Sequence, residues 1–102
     1  MSKTYFPDWR QEIEYGTDGP KPNFLMTSEK AKVILGGLEA GQRIPEHPEA
    51  EAVYHFLEGE GWMIVDGERL RVTAGTTITM PDGTVRGVEA DTRVAFLAVR
   101  IA

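Results

Sequence analysis

Cysteine is absent from this 102-residue chain, so no disulfide framework, thiolate metal site or cysteine nucleophile can occur, and the fold must rest on its core alone. That absence suits a reducing compartment, and a cytoplasmic location is expected. Long apolar runs are missing too: the longest, Val94 to Val99, is far too short to cross a bilayer. Met1 to Asp8 carries no apolar stretch of the kind a secretory signal needs, so neither secretion nor membrane insertion is expected. Positive charge is scarce and scattered. The 11 Lys and Arg stand singly against 16 Asp and Glu, for a formal net charge of −5, and make no patch that could neutralise phosphates, so nucleic acid is not an expected partner. Nucleophile and phosphate-cradling motifs are also lacking, and Gly59-Glu60-Gly61 is not followed by the helix that a dinucleotide fingerprint requires.

What the chain does contain is a hydrophobic content of 41% punctuated along its whole length by 11 glycines and 6 prolines, the mixture of one packed core. Residues 1–102 are expected to form a single domain, with N-terminal strands and a loop over 1–34 and a barrel over 35–102. Trp9, Ile13 and Tyr15 fall on one parity and Arg10, Glu12 and Glu14 on the other, which predicts a half-buried strand over 9–15. A helix is the second choice there, because Asp8 with Gln11 makes a weak capping pair. Gly16 to Pro22 reads as a loop.

Short β-rich runs follow at Phe24 to Met26, Ala31 to Leu38, Val53 to Leu57, Trp62 to Val65, Leu70 to Val72, Thr76 to Met80 and Arg93 to Ile101. Glycine-bearing turns separate them at the spacing of a sandwich or barrel. Asp66-Gly67 in particular suits a type I′ hairpin, which needs positive φ at both central residues. The last strand is apolar on both parities, so each of its faces needs cover. Either it lies inside one monomer or a second copy covers it, and the latter argues for a homodimer formed through an N-terminal strand or an apolar outer sheet face.

Two stretches carry a family resemblance. Gly41-Gln42-Arg43-Ile44-Pro45-Glu46-His47 with Pro48 through Gly61 resembles the first cupin motif, and Gly75 through Pro81-Asp82-Gly83-Thr84-Val85-Arg86 resembles the second. With the Val65 to Glu68 hairpin, the resemblance to the cupin family runs from about Leu35 to the C-terminus. It implies an all-β fold: a cupin-type antiparallel β-barrel, or double-stranded β-helix, of the jelly-roll kind. It also implies where a metal would be held, and there the pattern is degenerate. Counting back from Gly59, the family's ligand positions fall on Pro45, His47, Ala52 and Arg86, so His47 alone is kept. Counting forward from Gly41 makes His47 the first histidine with Glu49 as its partner. Neither count completes a set, and affinity grows with ligand number, so a divalent metal is disfavoured and at most weakly held.

By strand parity Ala52, Tyr54 and Phe56 should line the interior while Val53, His55 and Leu57 face away, which leaves His55 as a packed histidine rather than a ligand. Tyr54 and Phe56 are then the apolar wall of an open pocket into which Arg86 projects. A buried guanidinium needs an acid, either Glu49, Glu51 or Glu89 of the chain or the carboxylate or phosphate of a ligand. His47, Glu49, Tyr54, Phe56 and Arg86 are therefore the candidate ligand-binding residues. Trp62 reads as core or interface. The first functional reading is a barrel that binds a small organic molecule, anionic if Arg86 anchors it. The second is a metal-poor or metal-free enzyme of a kind found among cupins (dioxygenase, isomerase, lyase or cyclase) using His47 with Glu49. The third is a structural or dimerisation barrel.

Overall fold

In the computed structural model, which describes residues 3–101, the turn-punctuated runs become nine strands. Residues 1, 2 and 102, which the expected domain also spans, lie outside the described residues. The strands are β1 (Lys21–Thr27), β2 (Ala31–Leu38), β3 (Arg43–Pro48), β4 (Ala52–Glu58), β5 (Gly61–Val65), β6 (Glu68–Val72), β7 (Thr77–Met80), β8 (Val85–Ala90) and β9 (Val94–Ile101). Every pairing among them is antiparallel. One sheet runs β1-β2-β9-β4-β7 and the other β3-β8-β5-β6. The chain crosses repeatedly from one sheet to the other, which makes the expected two-sheet jelly roll. Among the described residues no helix is long and apolar enough to cross a membrane.

The sheets press their inward parities together. Ala52 and Phe56 of β4, Met63 of β5, Val72 of β6, Met80 of β7, Val88 of β8, and Val94, Phe96 and Ala98 of β9 form one buried cluster. The predicted parity of β4 holds: Ala52 and Phe56 are buried, Val53 is exposed, and His55 lies on the outer face, where its Nδ1 meets Thr77 Oγ1 of β7 at 2.7 Å. The hairpin between β5 and β6 turns as its residues require, with φ of 49° at Asp66 and 86° at Gly67.

Three expectations need correction. Trp9 to Tyr15 is not a strand: Trp9–Gln11 is a short 3-10 turn whose N-cap, Asp8, accepts from Arg10 N, and the rest is irregular. Local capping outcompeted a two-residue period that has no neighbouring strand to pair with. The other two corrections are strands absent from the expectation, β3 and β8. The first contains Pro45 and Pro48, and the second mixes Arg86 and Gly87 among its valines, so neither shows a clean apolar run. They pair with each other, and β8 also pairs with β5.

The N-terminal segment lies across the outer face of the first sheet. Asn23 Nδ2 donates to the Glu12 carbonyl and Gln42 Nε2 to the Gly16 carbonyl, each at 2.6 Å. A Cβ at Gly37 would overlap the Glu14 carbonyl, so only glycine lets the segment approach β2 this closely. Arg93 stacks on the Tyr15 ring at 4.3 Å and donates from Nε and Nη2 to the Glu39 carboxylate, both at 2.9 Å. Burial and the Glu58 carboxylate push the Tyr15 phenol up, against the pull of Arg93. On this outer face Leu35 and Ala95 are buried, whereas Val53 and Ile101, farther across it, stay 39% and 41% exposed.

Candidate functional site

A bulge aims the site. β3 and β8 step from the pair Ile44 and Val88 to the pair His47 and Arg86, so β3 holds one more residue than its partner over that interval. Ile44 and His47 consequently both reach the barrel interior, which strict alternation would forbid. They border a cavity of about 260 Å³ between the sheets. Its inner wall is apolar: Ile34, Gly36 and Leu38 of β2 with Phe96 and Ala98 of β9. Tyr54 stacks on Phe96, ring centroids 5.1 Å apart and planes 28° from parallel. Polar groups gather at the rim, where Lys21, His47 and Arg100 stand.

The ring of His47 is oriented by its own strand. Nδ1 lies 2.9 Å from the Pro45 carbonyl, which can only accept, so Nδ1 donates to it and Nε2 turns to Glu49 Oε2 at 3.8 Å. Glu49 also binds Arg100 and Arg86. Its carboxylate meets Arg100 Nη1 at 3.3 Å, and its carbonyl accepts from Arg86 Nη2 at 3.1 Å.

Arg86 is 1% exposed, as buried as Phe56 of the core. Its Nε donates to the Thr84 carbonyl at 3.1 Å, whereas Nη1 is buried with no hydrogen-bond partner among the described residues. Of the two kinds of acid considered for Arg86, the chain carboxylate is not supplied by Glu49, Glu51 or Glu89, none of which pairs with it among the described residues. The Glu49 carboxylate points to Arg100 and His47, and Glu89 binds Arg69 at 2.9 Å and Arg43 at 3.6 Å on the outside of the second sheet. Backbone carbonyls meet two of its three nitrogens, and carbonyls satisfy geometry without neutralising charge. Arg86 does not border the cavity. It sits behind Tyr54, whose phenol is pushed up by burial against the pull of the Arg86 and Arg100 guanidiniums.

The sequence-predicted residues thus separate. His47 and Tyr54 line the cavity, Glu49 braces its rim, and Arg86 lies beneath. Phe56, expected as wall, is a core residue 1% exposed that packs on Phe96 at 5.7 Å and does not reach the cavity, because Phe96 lies over it. Sequence reasoning missed Arg100, Phe96 and Lys21. Arg100 had a signal, since it shares the inward parity of Phe96 and Ala98 on β9. Lys21 had none.

The donors at the family's ligand positions do not fit a divalent cation. Pro45 and Ala52 have no donor atom in their side chains, and Arg86 brings a permanent positive charge to the place where a third imidazole would stand. Among the described residues no group of three or more His, Cys, Asp or Glu is placed to hold a metal ion. A larger cleft, about 730 Å³, lies outside the barrel between the N-terminal segment and β1, but its charged groups, Lys3 and Glu12, already pair with each other at 2.6 Å.

Comparison with known proteins places the chain among barrels of this kind. The family model described as "Cupin domain" matches residues 34–100. A conserved protein of unknown function from Streptococcus pyogenes is 25% identical, with a TM-score of 0.86 over 99% of this chain and 90% of that one. An RmlC-like cupin protein from Desulfovibrio desulfuricans is 26% identical, with a TM-score of 0.80 over 100% and 96%. A predicted oxalate decarboxylase from Thermotoga maritima is 25% identical, with a TM-score of 0.75 over 80% and 79%. No curated protein matches the chain.

Proposed function

This chain belongs to the cupin family, and we propose that it binds a small organic anion in its barrel cavity without a resident metal. The observation that carries this reading is the guanidinium of Arg100, with Lys21 and His47, at the rim of an aromatic-walled cavity, and a second guanidinium, Arg86, buried behind Tyr54 without a carboxylate partner. Desolvated guanidiniums favour carboxylates, and an apolar wall excludes water from the contact and strengthens it. Arg100 takes over the anchoring role that the motif suggested for Arg86, which supplies field rather than contact. The similar Thermotoga protein is described as a predicted oxalate decarboxylase, and a carboxylate is the ligand class that Arg100 would suit in this chain too.

One observation favours a second reading, a metal-free enzyme. His47 is held with Nδ1 on the Pro45 carbonyl, Nε2 at the cavity rim and Glu49 beside it, the arrangement of a base whose tautomer is fixed by its neighbour. Homodimerisation belongs to the proposal as well, supported by the exposed Val53 and Ile101 on the outer face of the first sheet, and so does a cytoplasmic location, supported by the lack of cysteine.

Native mass spectrometry of the purified protein, with metal analysis on the same sample, tests these points together. The expected result is a dimer that releases a small acidic organic molecule on denaturation and holds far less than one metal ion per chain. Stoichiometric zinc, iron, manganese or nickel that survives desalting would overturn the metal-free reading, and a monomer would overturn the dimer.

A further inference from the structure

We propose that the anion is an aromatic monocarboxylate, a single planar ring bearing one carboxylate; this rests on the anion-binding reading above and narrows it. Charge sets the valence. Lys21 is paired with Asp18 at 3.3 Å and Arg100 with Glu49 at 3.3 Å, but no carboxylate among the described residues pairs with Arg86, so the ion-paired groups balance and one positive charge is left over. One carboxylate cancels it. A dianion would add a second charge for which these groups offer no counterpart, and a neutral polyol would strip its hydroxyls of water against Ile34, Leu38, Phe96 and Ala98 with nothing to replace it.

Shape sets the ring. The inner wall is flat because position 36 is glycine: a Cβ there would overlap the far edge of the Phe96 ring, so only glycine lets that ring lie against β2 beside Tyr54. Tyr54 and Phe96 stack on each other and both border the cavity next to an apolar strand, and such aromatic surface favours a planar ring over a puckered one of equal size. The volume, about 260 Å³, falls just under the range of about 300–1,000 Å³ typical of drug-sized ligands, which limits the body to a single ring. Such a ligand would lay its ring along Phe96 and Tyr54 and turn its carboxylate outward to Arg100, with Nε2 of His47 within reach of a ring substituent.

The test is calorimetric titration of the purified chain with benzoate, cyclohexanecarboxylate, phthalate and benzyl alcohol. Benzoate should bind about threefold to tenfold more tightly than cyclohexanecarboxylate, the ratio a stacking contact supports. Phthalate should bind more weakly than benzoate, and benzyl alcohol should not bind measurably. Arg100→Gln should weaken benzoate by at least about tenfold. Gly36→Ala, which tips Phe96 into the cavity, should reduce benzoate binding with the circular dichroism spectrum unchanged. If Gly36→Ala unfolds the chain, the ratio of the two ring acids still decides the matter. Cyclohexanecarboxylate binding as well as benzoate, or phthalate binding better, would overturn the aromatic monocarboxylate while leaving the anion reading in place. Failure of every carboxylate, or benzoate binding unaffected by Arg100→Gln, would overturn the anion-binding reading itself.

Discussion

Phe56, Met63, Val72 and Val88 in the packed half of the barrel interior are as buried as Arg86 in the half that holds the cavity, all at 2% exposure or less. Their partnering differs. In the packed half, buried apolar side chains meet other apolar side chains. In the cavity half the Arg86 guanidinium, beneath the cavity rather than on its wall, keeps one nitrogen without a partner among the described residues. Equal burial therefore does not mean equal role. An unsatisfied buried donor costs about 1–3 kcal/mol. Pro45, Ala52 and Arg86, at positions where the motif resemblance expects metal ligands, bring no side-chain donor suited to a cation.

Mutation should separate the halves, most strongly in the packed one. Phe56→Ala removes a filled core position and should cost about 3–5 kcal/mol in urea unfolding. Arg86→Met keeps the length and removes the charge. Two carbonyls lose a donor while one orphan donor disappears, so the cost should stay below about 2 kcal/mol. Affinity for benzoate should nonetheless fall on the order of tenfold, the loss of one nearby poorly screened charge. An Arg86→Met variant as unstable as Phe56→Ala, with unchanged benzoate affinity, would make Arg86 a core residue and erase the comparison.

The smallest effect is a pH dependence of the cavity half. Burial raises the Tyr54 phenol above its ordinary value of 10.0, so at alkaline pH the folded chain holds a proton that the unfolded chain has released. Stability from this group is complete below pH 10.0 and declines as pH rises through the elevated folded value. Urea midpoints measured below and above that pH should fall for the wild type and fall less for Tyr54→Phe. Some decline should persist in the variant, because the Tyr15 phenol is raised as well. Identical declines in the two proteins would show that Tyr54 is not desolvated as described.

The legible parts of the fold were those with a local cause. Ala31 to Leu38 emerged with the expected bounds, the Asp66-Gly67 turn followed from its need for positive φ, and the parity of β4 sent Tyr54 inward and His55 outward. Illegible parts had their cause elsewhere in the chain. β8 carries a charge and a glycine in its middle, and only pairing with β3 on one side and β5 on the other makes it a strand. The 9–15 segment alternates, but no strand lies beside it to pair with, so it caps and turns instead.

The residues alone determined the two-sheet β fold, the motif skeleton of glycines and prolines, and the loss of metal donors at Pro45, Ala52 and Arg86, because each depends on what a residue is: whether it turns, branches or can coordinate. Which groups share a cavity depends on where strands distant in sequence come together, and that was decided in three dimensions. The bulge in β3 turned His47 inward, the ring of Phe96 over Gly36 shut Phe56 away, and the end of β9 delivered Arg100 to the rim. The partner of Arg86 was likewise a tertiary outcome: the carbonyl of Glu49 reached it while the carboxylate of the same residue turned to Arg100. Charge on a side chain is read from its letter, but its neutralisation is a matter of distance.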